Sequence, residues 1–167
     1  MPKKSAGILL FRRVNDRPEV LLVHPGGPFW KNKDIGAWSV PKGEFDDDEE
    51  PLIAAIREVK EELGIDVAGD FIELLPQNQK SGKIVYTWAL EQDTDAEAII
   101  SNTFELEWPP RSGRMIEIPE VDRAAWFPVA EAKLKIIPGQ IPIIDNLEQV
   151  LLGGDPDHAD RGPRANK

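Results

Sequence analysis

Apolar residues recur along the chain in short runs that predict strands. Residues 5–12 and 19–24 form two such runs, and Asn15 and Asp16 between them favour a turn. Residues 37–40 are expected to form a short extended piece that ends at Pro41. Further runs of strand type cover residues 67–75, 83–91, 102–108 and 123–127.

A different periodicity marks one segment as an amphipathic helix. Residues 49–63 carry apolar side chains at intervals of three and four, which places them on one stripe of a helix. Pro51 suits the first helical turn and Gly64 suits the position just past the end. The stripe consists of Leu52, Ile56, Val59 and Leu63.

Two more helices are predicted at residues 129–135 and 141–152. Strands and helices therefore mix without strict alternation, which favours a mixed sheet flanked by helices over a doubly wound parallel sheet. We predict an α+β fold that occupies residues 1–152 as one domain. From Gly153 onward the chain is polar and rich in Gly, Pro and Asp, so residues 153–167 are expected to form a disordered tail.

Composition excludes several classes of function. The chain has no cysteine, which excludes disulfides, thiolate metal sites and cysteine nucleophiles. Its two histidines, His24 and His158, are too few for a histidine-rich zinc site, and His24 is expected to be structural, at the end of a strand. A net charge of −10 disfavours a nucleic-acid partner. No apolar run approaches the roughly 20 residues that span a bilayer, so we expect a cytoplasmic protein without a membrane partner.

Carboxylates are concentrated on one face of the first predicted helix. Glu58, Glu61 and Glu62 stand at positions i, i+3 and i+4, and Glu49 stands at the helix start. Like charges at this spacing repel each other, and either exposure to water or shared divalent cations relieves the repulsion. Oxygen ligands suit hard ions such as Mg²⁺ or Mn²⁺, which neutralise a diphosphate and assist its cleavage. A solvated acidic surface helix is the alternative.

The spacing of these residues resembles the Nudix box of the MutT-like hydrolases. Gly43 is followed after five residues by Glu49, and seven residues later by the run 57–65, with a match at every defining position. At average residue usage, nine such matches would arise by chance in fewer than about one in a hundred thousand chains. Residues 38–43 and 125–132 extend a weaker resemblance on both sides of the box.

This resemblance implies an α/β/α sandwich around a mixed sheet and a hydrolase that cleaves a diphosphate linkage in a nucleoside diphosphate derivative. The Mg²⁺ ligands, with Mn²⁺ as a substitute, would be Glu58, Glu61, Glu62 and the carbonyl of Gly43. Glu61 and Glu62 would act in catalysis, and Arg57 would orient them through ion pairs. The general base in this family is a box glutamate or a carboxylate from a later loop. Glu120 is the candidate here, and Glu117 is the runner-up.

Substrate binding is predicted from cationic and aromatic residues near the box. Lys42 and Arg12 would meet phosphate oxygens, and Trp30 would stack on a base. A solvated charge or a place in the core remains the alternative for each of them. Branches that hydrolyse ADP-ribose or NADH have signatures that are missing here, and a decapping or diphosphoinositol enzyme would want a more basic surface.

We therefore expect a nucleotide-type substrate, either a nucleoside triphosphate or a dinucleoside polyphosphate. The resemblance is also compatible with a homodimer. A catalytically inactive Nudix-fold module that binds nucleotides or regulates is the alternative function. Such modules typically lose box glutamates, and this box keeps all of them.

Overall fold

The computed structural model of the chain describes residues 3–153. Within that range the strands are β1 (Lys4–Val14), β2 (Arg17–Pro25), β3 (Lys42–Phe45), β4 (Ile72–Glu73), β5 (Gln77–Asn78), β6 (Ile84–Glu91), β7 (Thr103–Glu107), β8 (Met115–Pro119) and β9 (Val121–Pro128). The helices are α1 (Pro51–Leu63), α2 (Val129–Lys135) and α3 (Ile141–Leu151). Single 3₁₀ turns lie at Ala96–Ala98 and Pro138–Gln140.

Seven of these strands form one mixed sheet. Its main path runs β4-β6-β1-β2-β9, with β3 paired to β1 and β5 paired to β6. The pair β1–β6 is parallel and the other pairs are antiparallel. Strands β7 and β8 form a separate antiparallel hairpin. A mixed sheet with helices is the fold class that the sequence predicts.

Alternate side chains of β1 enter two different cores, which places helices on both faces of the sheet. Ile8 and Leu10 join the α1-side core, which includes Val59 and Leu63 of α1. Leu9 and other β1 side chains of the same parity join the α3-side core, which includes residues of α2 and α3. The period of two along a strand thus separates the two layers. The arrangement is the expected α/β/α sandwich.

The predicted helices are confirmed: α2 has the predicted bounds, α1 begins two residues later than predicted, and α3 ends one residue earlier. The strand predicted at residues 67–75 is wrong for most of its length, because only Ile72–Glu73 pairs with β6. Val67 and Phe71 pack against the α1-side core from an irregular backbone. Their apolar spacing therefore reflects packing and not strand pairing.

Three strands were missed in the sequence, and one of them, β5, is only two residues long. Strand β3 has the polar sequence Lys-Gly-Glu-Phe, which lacks an apolar run, yet it pairs with residues Lys4–Gly7 of β1. Strand β8 completes a hairpin with β7, where only the first strand was predicted. No helix within residues 3–153 is long and apolar enough to cross a membrane. Residues 154–167 of the predicted tail lie outside the described part of the chain.

Two buried amides attach the α3 layer to the edge of the sheet. Gln140 is fully buried, and its Oε1 accepts a hydrogen bond of 2.9 Å from the backbone N–H of Val40. Asn146 accepts a hydrogen bond of 2.7 Å from the backbone N–H of Leu75. Because Val40 lies two residues before β3, the Gln140 contact fixes the approach of the chain to that strand.

Replacing this amide tests its contribution to stability. We expect Gln140→Met to lower the free energy of unfolding by about 1–3 kcal/mol, because the N–H of Val40 loses its acceptor. Thr87→Val is the matched control: the hydroxyl of Thr87 is buried and finds no partner within residues 3–153, so its removal is expected to lower stability much less. Urea unfolding measures both. Equal losses in the two variants would contradict the assignment.

Candidate active site

Strand β3 and helix α1 meet at Gly43 and Glu58. The contact is so close that a methyl group at Gly43 would lie 2.0 Å from Oε1 of Glu58 and 2.4 Å from Oε2. Only a residue without a side chain allows this approach. The carboxylate of Glu58 is therefore packed against the backbone of Gly43, and the residue is only 8% exposed.

Arg57 binds three carboxylates at once. Its Nε and Nη2 donate to the two oxygens of Glu49, each at 3.0 Å. Its Nη1 donates to Glu58 at 2.8 Å and to Glu61 at 3.3 Å. The planar guanidinium suits this forked geometry, which a lysine could not reproduce. The orienting role expected for Arg57 thus has a geometric basis.

Arg57 does not bond every carboxylate of the cluster, and burial shifts the pKa of two of them. Burial raises the pKa of Glu58, and the neighbouring Glu61 raises it further. Burial also raises the pKa of Glu62, to about 8, with added repulsion from Glu58 and Glu120. Such shifts mean that these groups resist ionisation unless a further cation is supplied.

Glu120 reaches this cluster through backbone contacts. Its N–H donates to the carbonyl of Asn102 at 2.8 Å, and the N–H of Asn102 donates to the carbonyl of Glu61 at 2.8 Å. Burial and then Glu61 raise the pKa of the Glu120 carboxyl. The structure therefore brings the candidate base together with the box. Glu117, the runner-up, is exposed and accepts a hydrogen bond from Thr103 Oγ1 at 2.8 Å.

Lys42 also lies beside the carboxylates. Burial lowers the pKa of its ammonium group, and so does the nearby Lys83, whereas Glu62 raises it. Conversely, Lys42 lowers the pKa of Glu62. A cation held against the cluster and half-buried is well placed to meet an anionic substrate.

The structure does not bring Arg12 to the site, which corrects the expectation that it meets phosphate. Lys42 pairs with Gly7, and Arg12 lies five residues further along β1, a distance of about 16 Å. Its guanidinium pairs with Glu19 at 2.9 Å and lies 4.4 Å from the ring centroid of Trp126. Arg12 therefore belongs to a separate surface cluster.

Trp30 is half-buried and packs against the α3-side core. Its ring meets Phe29 edge to face with centroids 5.0 Å apart. This is the packing role that stood as its alternative. Asn102, by contrast, was missed: it connects Glu61 with Glu120 through backbone atoms only, which leaves no signal in the side-chain pattern.

The donor set suits a hard divalent cation. Every candidate ligand is an oxygen: three glutamates and the carbonyl of Gly43. As the side chains stand, no three acidic or histidine residues of the described range converge on one point. Arg57 is bonded to oxygens of Glu58 and Glu61. Burial and neighbouring carboxylates raise the pKa of Glu58 and Glu62, and a cation bound between them would favour their ionised forms, so the oxygen donor set fits a metal ion.

Sequence comparisons identify relatives of the chain. The family model described as NUDIX domain matches residues 1–147. The chain is 31% identical over 156 residues to human diphosphoinositol polyphosphate phosphohydrolase 3-alpha, with 92% of this chain and 81% of that protein covered.

Solved structures show the same fold. The NUDIX domain of Shewanella oneidensis NrtR complexed with ADP ribose has a TM-score of 0.62 and 17% identity, over 90% of this chain and 89% of that one. A binary complex of C. elegans Ap4A hydrolase has a TM-score of 0.60 and 22% identity, over 90% of this chain and 98% of that one.

The close approach at Gly43 predicts the effect of a single methyl group. We expect Gly43→Ala to displace the Glu58 carboxylate. The apparent affinity for Mn²⁺, measured by the rise in melting temperature as Mn²⁺ is added, is expected to fall by at least about tenfold. Gly139→Ala is the matched control, because its new methyl would have no neighbour closer than 4.0 Å. Thermal-shift titrations compare the two. An unchanged response in Gly43→Ala would contradict the packing described here.

The raised pKa of Glu62 predicts a pH-dependent stability in the metal-free protein. Its folded value of about 8 lies above the ordinary 4.5, so the folded state binds this proton more tightly than the unfolded chain does. The contribution of this proton to the free energy of unfolding is fully present below pH 4.5 and is lost as the pH rises toward 8. We expect Glu62→Gln, measured in chelator, to be more stable than wild type near pH 8 by about 1–3 kcal/mol. If the free energy of unfolding changed with pH in the same way in both proteins, this prediction would be contradicted.

Proposed function

The chain belongs to the Nudix hydrolase family, and we propose that it is a Mg²⁺-dependent pyrophosphohydrolase acting on a nucleoside triphosphate or a dinucleoside polyphosphate. The observation that carries this proposal is the carboxylate cluster of Glu58, Glu61 and Glu62 on one face of α1. Arg57 bonds Glu58 and Glu61, and Glu58 packs against Gly43. Burial and Glu58 raise the pKa of the neighbouring Glu62. A surface helix with a solvated acidic face would not bury its glutamates in this way.

The roles of the residues follow from their positions. Glu58, Glu61, Glu62 and the carbonyl of Gly43 would hold the divalent cation, which when bound supplies the positive charge that neutralises the diphosphate oxygens. Arg57 keeps Glu58 and Glu61 in place through its fork of hydrogen bonds. With the cation bound, the site would attract an anionic substrate that the glutamates alone would repel.

Glu120 is the proposed general base. It lies at the cluster without a hydrogen bond that would tie its carboxylate to Arg57, whose partners are Glu49, Glu58 and Glu61. Its raised pKa makes it a better proton acceptor than an ordinary carboxylate. Glu120 takes a proton from the water that attacks phosphorus, and the bond to the leaving phosphate oxygen breaks. Lys42 meets the phosphate oxygens from the side of β3.

A diphosphoinositol polyphosphate is the second candidate substrate. Similarity to human diphosphoinositol polyphosphate phosphohydrolase 3-alpha over 92% of the chain favours it. The cations near the box weigh against it, because Lys83 is paired with Glu44 and Lys4 with Asp47. A fully phosphorylated ring needs unpaired positive charge.

A substrate panel separates these candidates. We expect wild type with Mg²⁺ to cleave one class among nucleoside triphosphates, diadenosine polyphosphates, ADP-ribose, NADH and a diphosphoinositol polyphosphate. Glu61→Gln and Glu62→Gln are expected to lose that activity by about a hundredfold or more, because each removes a metal ligand. Glu131→Gln, an exposed carboxylate on α2, is the matched control and should keep it.

The panel also tests the inactive alternative. If wild type cleaves no member, and if nucleotide binding is the same in Glu61→Gln and Glu62→Gln, the chain is a binding module and the proposed hydrolase is wrong.

A further inference from the structure

His24, at the end of β2, is a fully buried histidine whose two ring nitrogens both face oxygen acceptors. Nδ1 lies 3.0 Å from Oδ1 of Asp122, and Nε2 lies 2.6 Å from the backbone carbonyl oxygen of Lys33. A neutral imidazole has one donor and one acceptor and can satisfy only one of these contacts. Both are satisfied when each nitrogen carries a proton and Asp122 balances the charge.

Asp122 is the extra residue of a β-bulge. In the β2–β9 ladder His24 stands opposite Arg123 and Pro25 stands opposite Val121, so Asp122 has no partner in the register. The bulge shifts the phase of the strand: Val121 and Ala124 face the same α1-side core although they are three residues apart. A bulge of this kind re-aims the side chains that precede it.

The residue re-aimed toward the cluster is Glu120. Its carbonyl accepts a hydrogen bond of 3.2 Å from the N–H of Gly26, two residues after His24. The two segments are in close contact, because a methyl group at Gly26 would lie 2.0 Å from the carbonyl oxygen of Pro119. The pair His24–Asp122 thus fastens the start of the 25–36 loop to the segment that carries Glu120.

Other contacts surround the His24 ring. Its edge meets Trp38 with ring centroids 5.1 Å apart, and the guanidinium of Arg123 lies 5.2 Å from the Trp38 centroid. Trp38 Nε1 donates to Asp34 at 2.8 Å, and Asp34 also pairs with Lys135. Asp34 therefore holds the far end of the same loop without touching the bulge.

We propose that His24 and Asp122 are positioning residues for catalysis, whose hydrogen-bonded pair at the bulge fixes Glu120 relative to the box glutamates. This rests on the proposed function, in which Glu120 takes the proton of the attacking water. It also assigns a role in the reaction to His24, for which the sequence predicts only a structural one.

A double-mutant cycle tests the proposal. Asp122→Asn keeps an oxygen acceptor and the side-chain shape but removes the charge. With the best substrate of the panel, we expect it to lower kcat by about ten- to a hundredfold with less than about a twofold change in KM. In a Glu120→Gln background the same change is expected to have no further effect, because the residue that it positions no longer accepts a proton. His24→Gln should behave as Asp122→Asn does.

The control is Asp34→Asn, which makes the same chemical change at the other end of the loop. It is expected to keep the wild-type kcat. Equal losses in Asp34→Asn and Asp122→Asn, or additive losses in the Glu120→Gln background, would show a general effect on the loop and overturn the positioning role. Urea unfolding of all variants verifies that each is folded.

A spectroscopic arm does not depend on turnover. Nitrogen-15 NMR of wild type is expected to show a proton on both ring nitrogens of His24, and Asp122→Asn is expected to show one. A single proton in wild type would overturn the pair. A wild type that cleaves no substrate would overturn the proposed function and this proposal with it, whereas an active wild type with additive losses would overturn this proposal alone.

Discussion

The active site depends on one guanidinium group that keeps several glutamates close together. Arg57 donates to Glu49, Glu58 and Glu61, which would otherwise repel one another on a single helix and the segment that leads into it. Its hydrogen-bond partners do not include Glu62, whose pKa, like that of Glu58, is raised by burial and by neighbouring carboxylates. A divalent cation would favour the ionised form of both groups and would attract an anionic substrate.

The rest of the fold presents that helix to a strand and a loop. Strand β3 brings Gly43 against Glu58, and the Gln140 contact with Val40 fixes the chain that leads into β3. On the other side the segment before β9 carries Glu120, tied to Glu61 through Asn102. The two helical layers are therefore not independent supports: the α3 layer sets the position of the strand that contacts the α1 carboxylates.

Much of the site could be predicted from sequence because it is local. Glu58, Glu61 and Glu62 lie within two turns of one helix, where spacing alone decides which side chains share a face. The distance of Arg12 from the site could not be predicted, because the sequence does not show which residues of β1 pair with β3. Strand β3 could not be predicted either, because its polar sequence lacks a strand pattern. The bulge at Asp122 is visible only in the register of two strands that are distant in sequence.

The central claim is that the Arg57-held glutamates form a divalent-cation site. Titration of metal-free protein with Mn²⁺, followed by electron paramagnetic resonance, measures this directly without requiring a substrate. Wild type is expected to bind Mn²⁺, and Glu58→Gln is expected to bind it at least about tenfold more weakly, because the buried carboxylate on Gly43 is lost. Equal Mn²⁺ affinity in wild type and Glu58→Gln would contradict the claim.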